Sequence, residues 1–171
     1  MRNRQKGFSL IELLIVVAII LIIAAIAIPN LLRAKMSANE ASAVGALRTV
    51  TTTEVEYSTT YGTGYSAALA NLGGGTPCTA TAATACLIDP VLTAGTKSGY
   101  TFVEVPNTGA GTAVNPFTGF EANATPQNVG TTGQRSFCVD QTGVLRFDIT
   151  GAAIGTGAGA CGALPAAQVI Q

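Results

Sequence analysis

An uninterrupted apolar segment near the N-terminus constrains this chain of 171 residues more than any other feature. Residues 13–28 contain no charged or polar side chain, and residues 8–11 extend the mostly apolar character to the other side of Glu12. At 1.5 Å per residue, a helix over residues 8–28 would span roughly 30 Å, about the thickness of a hydrocarbon core. The segment therefore predicts one membrane-spanning helix.

The flanks of this segment distinguish it from a secretory signal peptide. A signal peptide has an apolar region of about 7 to 15 residues that ends in a small-residue cleavage site, whereas this segment is longer and ends at Pro29. Arg2, Arg4 and Lys6 precede it, and basic residues tend to stay on the cytoplasmic side of a membrane. We therefore expect a cytoplasmic N-terminus and an exported C-terminal part.

Glu12 is the anomaly of the apolar region, because aliphatic residues flank it on both sides. A carboxylate at the centre of a membrane helix costs about 2.5 to 3.5 kcal/mol on insertion scales. Either the side chain lies near the interface and reaches water, or cleavage close by creates a positive amine that pairs with the carboxylate.

Residues 6–13, with the sequence Lys-Gly-Phe-Ser-Leu-Ile-Glu-Leu, resemble the cleavage and methylation motif of type IV prepilins and the related type II secretion pseudopilins. The resemblance covers about the first 35 residues. It implies that a peptidase cleaves after Gly7 and that Phe8 becomes the N-methylated first residue. It also implies that Glu12 pairs with an N-terminal amine during filament assembly.

The same resemblance implies partners and location. The expected partners are identical subunits in a helical filament, a prepilin peptidase/methyltransferase, an inner-membrane assembly platform and, before assembly, the lipid bilayer. The precursor would be a single-pass inner-membrane protein with its N-terminus in the cytoplasm. The assembled subunit would lie in an extracellular pilus that serves adhesion, motility or DNA uptake.

Four regions follow along the chain: a cleaved leader at 1–7, a transmembrane and filament-core helix at 8–29, an amphipathic continuation at 30–60 and a globular head at 61–171. Pro29 removes one backbone hydrogen bond, so it predicts a kink within the helix. The resemblance implies that the stretch ending at this proline can lose helicity in a filament, which makes Pro29 an assembly residue.

In the amphipathic continuation, Leu47 and Val50 belong to a set of apolar residues at helical spacing, and charged residues such as Glu40 and Glu54 lie between them. This pattern predicts one helix of roughly 50 residues when joined to the membrane segment. Two glycines in residues 61–65 mark its exit.

The head has the signals of a small antiparallel sheet. Strands are predicted at Tyr100–Val105, near Phe117–Ala122, and in a hairpin at Arg135–Asp148 whose residues 140–143 suit a type I turn. Residues 67–98 are rich in small residues and suggest a surface connection. Three or four strands packed on the second half of the helix give an α+β fold, which is also the pilin fold that the resemblance implies.

All four cysteines follow the apolar segment, so they lie on one side of any membrane it spans. An even number of cysteines on the exported side favours two disulfides. Three connectivities are open, and we favour the local pairs Cys78–Cys86 and Cys138–Cys161. The second pair matches the C-terminal disulfide-bounded loop of many type IV pilins.

The composition argues against an enzyme. The chain has no His, so it lacks the commonest general base and metal ligand, and no phosphate-loop or cofactor motif appears. We predict no catalytic residue, no cofactor and no metal site. Removing the three basic leader residues would leave six basic against nine acidic side chains, which predicts no specific nucleic-acid partner.

Two weaker motifs favour ordinary surface positions. The acidic residues Asp89, Glu104, Glu121, Asp140 and Asp148 could ligate calcium, but no dense oxygen-ligand loop is visible, so solvated charges are expected. The residues from 123 to 125, Asn-Ala-Thr, match a glycosylation sequon, and an exposed polar loop is expected there.

Three functions remain open. The leading one is a type IV pilus subunit, the second a type II secretion pseudopilin and the third a single-span anchored domain that does not polymerise. The cysteines and the Gly-rich C-terminal part favour a pilus subunit over a pseudopilin. Glu12 argues against a plain anchor, because an anchor gains nothing from a carboxylate in its apolar segment.

Overall fold

The computed structural model describes residues 8–155, 157–165 and 168–170. The predicted leader at 1–7, including the cleavage position Gly7, lies outside the described residues. The elements are the helices α1 (Leu10–Tyr61), α2 (Leu69–Leu72) and α3 (Pro90–Thr93) and the strands β1 (Thr96–Lys97), β2 (Tyr100–Pro106), β3 (Phe120–Pro126), β4 (Ser136–Asp140) and β5 (Arg146–Asp148). The chain divides into two compact units, Met1–Lys35 and Met36–Gln171, and helix α1 contributes to both.

The described part of the first unit is helix with its apolar side chains exposed. Large hydrophobic residues here range from 40% exposed at Leu32 to 81% at Phe8. Within the described residues, α1 is the one helix long and apolar enough to cross a membrane. The helix continues through Pro29, so the stretch that precedes this proline is helical in the single chain.

In the second unit, one face of α1 is buried at intervals of three or four residues. The buried residues are Glu40, Ala43, Ala46, Leu47, Val50, Thr53, Glu54 and Tyr57. The spacing is that of a helix packing on a core. The amphipathic pattern did not indicate that Glu40 and Glu54 are on the buried stripe, where each has hydrogen-bond donors from the head.

The sheet confirms the predicted α+β class. Its five strands are antiparallel and lie side by side in chain order. The third strand is Phe120–Pro126 rather than 117–122, because Phe117 instead forms a parallel bridge with Gly64. A Cβ at Gly64 would lie 2.2 Å from the Phe117 carbonyl oxygen, so this close approach requires glycine.

Strands β3 and β4 are buried on both faces. Ala122 and its cross-strand partner Val139 belong to the core that includes α1. On the opposite face, Asn123 donates through Nδ2 to the Gly155 carbonyl oxygen at 3.2 Å, and its cross-strand partner Cys138 is also buried. The C-terminal segment therefore covers the second face, and these strands show no alternation of burial.

This double burial overturns the expectation of a polar loop at the sequon. Asn123 lies within β3 and is 2% exposed. The strand and the covering segment both exclude solvent from it, so an attached glycan would not fit this fold.

The segment 67–98 is only in part the surface connection that its composition predicted: residues 75–83 are exposed, but other residues enter the core. Leu69, Leu72 and Leu92 are buried in the core. The short helix α3 begins with Asp89, whose Oδ1 accepts the Leu92 backbone N–H at 3.0 Å, followed by proline at the first helical position. Both are recognised helix-start signals, and composition alone does not reveal them.

Candidate functional site

The candidate site at the N-terminus centres on the start of α1. Since the helix begins at Leu10, Ser9 occupies the N-cap position and Glu12 is the third helical residue. Glu12 Oε2 accepts the Ser9 backbone N–H at 2.9 Å. This contact is one half of a capping box, in which a Glu at this position reaches back to the N-cap amide. The sequence contained the signal, Ser-x-x-Glu, but its capping role was not predicted.

The cap holds the Glu12 carboxylate at the N-terminal end of its helix. A negative charge there is favoured by the helix dipole. Phe8 adjoins Ser9 in the chain, so an amine on Phe8 would lie one residue from the N–H that Glu12 already binds. The Phe8 side chain is 81% exposed. Cleavage at Gly7, which lies outside the described residues, would therefore create its amine next to this carboxylate.

Pro29 is not part of the same site. Its position in α1 places it about 25 Å from Glu12 along the helix axis, at 1.5 Å per residue. The structure thus places Glu12 in contact with Ser9, the residue after Phe8, and places Pro29 elsewhere on the apolar helix.

The cysteines lie in the second unit. The structure bonds Cys78 to Cys86, eight positions apart, and Cys138 to Cys161, 23 positions apart. Among the described residues no cysteine is free. The second bond ties the C-terminal segment to β4, on the sheet face opposite α1.

Two charged side chains, Arg146 and Glu121, hold the same segment. Arg146 donates through Nη1 to the carbonyl oxygen of Cys161 at 2.7 Å and also to that of Gly162. Glu121 Oε2 accepts the Cys161 N–H at 3.2 Å. Burial raises the pKa of Glu121, and the nearby Asp140 charge adds to the rise, while backbone hydrogen bonds oppose it.

A second ionic contact joins α1 to the loop before β4. Glu40 Oε2 lies 2.7 Å from Arg135 Nη2, and Glu40 Oε1 accepts the backbone N–H groups of Gln134 and Arg135 at 2.9 and 3.1 Å. Burial by itself would raise the pKa of Glu40, but the hydrogen bonds from Gln134 and Arg135 hold it below its ordinary value.

The expectation of solvated acidic residues was wrong for three of the five weighed as calcium ligands. Glu104, Glu121 and Asp140 are all at most 6% exposed. Asp89 caps α3, and Asp148 accepts the Thr150 N–H at 2.7 Å. In the part of the chain that the structure describes, no group of three or more His, Cys, Asp or Glu side chains is placed to hold a metal ion.

Comparison with known proteins bears on the N-terminal site alone. Residues 2–28 match the family model for the prokaryotic N-terminal methylation motif. Over 40 residues, the chain is 68% identical to the type IV wide pilus major component PilA4 of Thermus thermophilus. The N-terminal segment is thus similar to that of a type IV pilin.

The similarity to PilA4 is limited in extent. It covers 23% of this chain and 30% of that relative. No solved structure matches the chain significantly. The pilin-type segment is therefore identified by the motif and the relative, whereas the head is described by its own geometry.

Proposed function

We propose that this chain is a structural subunit that is processed by a prepilin peptidase and polymerises into a type IV pilus. One observation carries the proposal: the pilin-type segment presents an exposed apolar helix with a single acidic residue held at its start. Such a surface requires a nonpolar environment, which lipid provides before assembly and neighbouring helices provide afterwards.

Processing and assembly are linked through Glu12 in this proposal. Cleavage after Gly7 would free the Phe8 amine, and methylation of that amine leaves its positive charge in place. Exchange of lipid for protein contacts gains little from hydrophobicity, so packing and polar pairing must direct it. A subunit whose carboxylate lacked an amine in a dry filament core would be disfavoured by several kcal/mol. Glu12 would therefore select the register of each added subunit.

The proposed partners are further copies of the chain, the prepilin peptidase/methyltransferase and an inner-membrane assembly platform. The subunit would remain in the inner membrane until assembly and then become extracellular. The pilus would serve adhesion, motility or DNA uptake.

The test is electron microscopy of filaments sheared from the native cells, with mass spectrometry of their N-terminal peptide. We expect long filaments that contain this chain, beginning at a methylated Phe8. Absence of the chain from surface filaments would contradict the proposal. If deletion of the gene instead abolished protein secretion, the chain would be a secretion pseudopilin.

A further inference from the structure

Two buried carboxyl groups meet where α1 ends. Glu54, near the end of α1, is 0% exposed, and Glu104, on β2, is 6% exposed. Ser66, in the loop that follows α1, contacts both: its N–H donates to Glu54 Oε2 at 2.9 Å, and its hydroxyl donates to Glu104 Oε1 at 2.9 Å. Helix, loop and strand are thus held at one point.

The remaining oxygen of each carboxyl group has no donor from the described residues. Glu54 Oε1 and Glu104 Oε2 are both buried without another hydrogen-bond partner. Ser66 holds the two carboxyl groups close together, and no donor from the described residues reaches their remaining oxygens. Since an ionised carboxylate only accepts hydrogen bonds, a bond between two carboxyl groups requires a proton on one of them.

Among the described residues, no cationic side chain forms a salt bridge or hydrogen bond with either carboxyl group in place of that proton. Tyr57, on the same helix, is the other titratable side chain that interacts with both carboxyl groups, and its ring lies 4.9 Å from that of Tyr61. On the sheet, Phe102 and the cross-strand partner Ala122 share the face of Glu104 and are apolar. Burial therefore raises the pKa of Glu104 well above its ordinary value, and Glu54 raises it further, while the Ser66 hydrogen bond opposes the shift.

We propose that Glu104 retains a proton beside Glu54 and that the two side chains form a pH-dependent latch between the end of α1 and strand β2. The latch contributes its full stability below the unfolded-state pKa, near 4.5, because the folded head then binds no more protons than the unfolded chain. Its contribution is lost as the pH rises from there through the elevated folded-state pKa. Within that interval the unfolding equilibrium constant rises about tenfold per pH unit.

The first test is thermal unfolding of the full chain in detergent micelles between pH 5 and pH 9, followed by tyrosine near-UV circular dichroism. All four tyrosines lie beyond residue 36 and the chain has no Trp, so the signal reports on the second unit. The unfolding equilibrium constant of Glu104→Gln should rise with pH less steeply than that of the unmodified chain, by about one proton, or tenfold per pH unit. The Gln amide can donate to Glu54 without titrating.

Glu56→Gln is the matched control, because Glu56 lies on the same helix but is exposed. Its pH dependence should equal that of the unmodified chain. The Glu121 carboxyl group, whose pKa is also raised, contributes equally to all these proteins and cancels in the comparison. An unchanged pH dependence in Glu104→Gln would overturn the latch.

A second measurement does not depend on unfolding. Infrared spectra of the folded chain in D₂O, recorded from pH 5 to pH 9, should show the carbonyl absorption of a protonated carboxyl group above the pH at which exposed carboxyl groups ionise. The absorption should persist in Glu56→Gln and Glu121→Gln and should be lost in Glu104→Gln. Its absence from the unmodified chain, or its persistence in Glu104→Gln, would overturn the proposal.

Discussion

The same residue types are exposed in one half of helix α1 and buried in the other. In residues 10–35, the large hydrophobic side chains are exposed, and so is Glu12. In residues 36–61, the apolar stripe is buried, and Glu40 and Glu54 are buried with it. The carboxylates in the second half accept hydrogen bonds from the head of the same chain. Among the described residues, Glu12 in the first half accepts one from a neutral backbone donor, the Ser9 N–H.

This contrast explains how one helix can serve two purposes. A buried carboxylate is tolerated when donors fixed by the fold surround it, as Gln134 and Arg135 surround Glu40. Glu12 has no such shell among the described residues, so its charge remains available for a partner from outside the chain. We therefore regard the first half of α1 as completed only by assembly.

Replacing Glu12 with Ala should have the largest effect. We expect near-complete loss of surface filaments, because the amine of a neighbouring subunit would lose its counter-charge in a dry core. The precursor should still accumulate in the membrane, and head unfolding should be unchanged. The measurement is the ratio of chain in the sheared surface fraction to total chain, by immunoblot.

Glu56→Ala is the control for that experiment, since it removes an exposed acidic residue from the second half of the same helix. It should assemble as the unmodified chain does. A filament yield in Glu12→Ala equal to that of this control would reject polymerisation through Glu12 and favour a plain membrane anchor.

The second-largest effect should follow removal of the Cys138–Cys161 bond. Replacing both cysteines with Ala should lower the free energy of unfolding of the head by about 3 kcal/mol, because the bond closes the longer loop. Replacing Cys78 and Cys86, only eight positions apart, should cost about 1 kcal/mol less on the same loop-entropy argument. Denaturant unfolding measures both, and the reverse order would contradict the argument.

The smallest of these effects should come from Arg135→Met, which removes the ionic partner of Glu40. We expect a loss of about 1 to 2 kcal/mol in head stability, as is usual for hydrogen bonds to a charged group that is partly exposed. Arg48→Met, on an exposed position of α1, should have no measurable effect.

The same variant has a predictable pH dependence. The pKa of Glu40 is held below 4.5 in the fold, so its contribution is present above the unfolded-state pKa and is lost as the pH falls through the lower folded-state value. Melting curves at pH 3 and pH 6 should therefore differ less for Arg135→Met than for the unmodified chain. An equal difference would show that this contact does not set the acid sensitivity.

Sequence patterns predicted the fold class because two of its signals are strong. The apolar run and the periodicity that follows it indicate α1, and the turn at residues 140–143 has the expected hydrogen bond from the Gly143 N–H to the Asp140 carbonyl oxygen at 2.9 Å. Sequence reasoning failed where tertiary contacts decide burial. Glu121 appears polar in sequence, yet the C-terminal segment folds over it and donates the Cys161 N–H.

At the candidate site, the motif predicted which residues matter but not how the single chain holds them. The Glu12 contact with Ser9 depends on where the helix begins, and helix boundaries are uncertain by one or two residues in a sequence pattern. The shared carboxyl site of Glu54 and Glu104 could not be predicted at all, because it joins positions 50 residues apart through Ser66.

The filament yield of Glu12→Gln tests the central claim most directly. Gln can retain the capping hydrogen bond to Ser9 but carries no charge. If the first half of α1 is completed by a charged partner, the variant should lose surface filaments as fully as Glu12→Ala while its helix content stays unchanged. Filaments at the unmodified level would contradict the account and would reduce Glu12 to a helix cap.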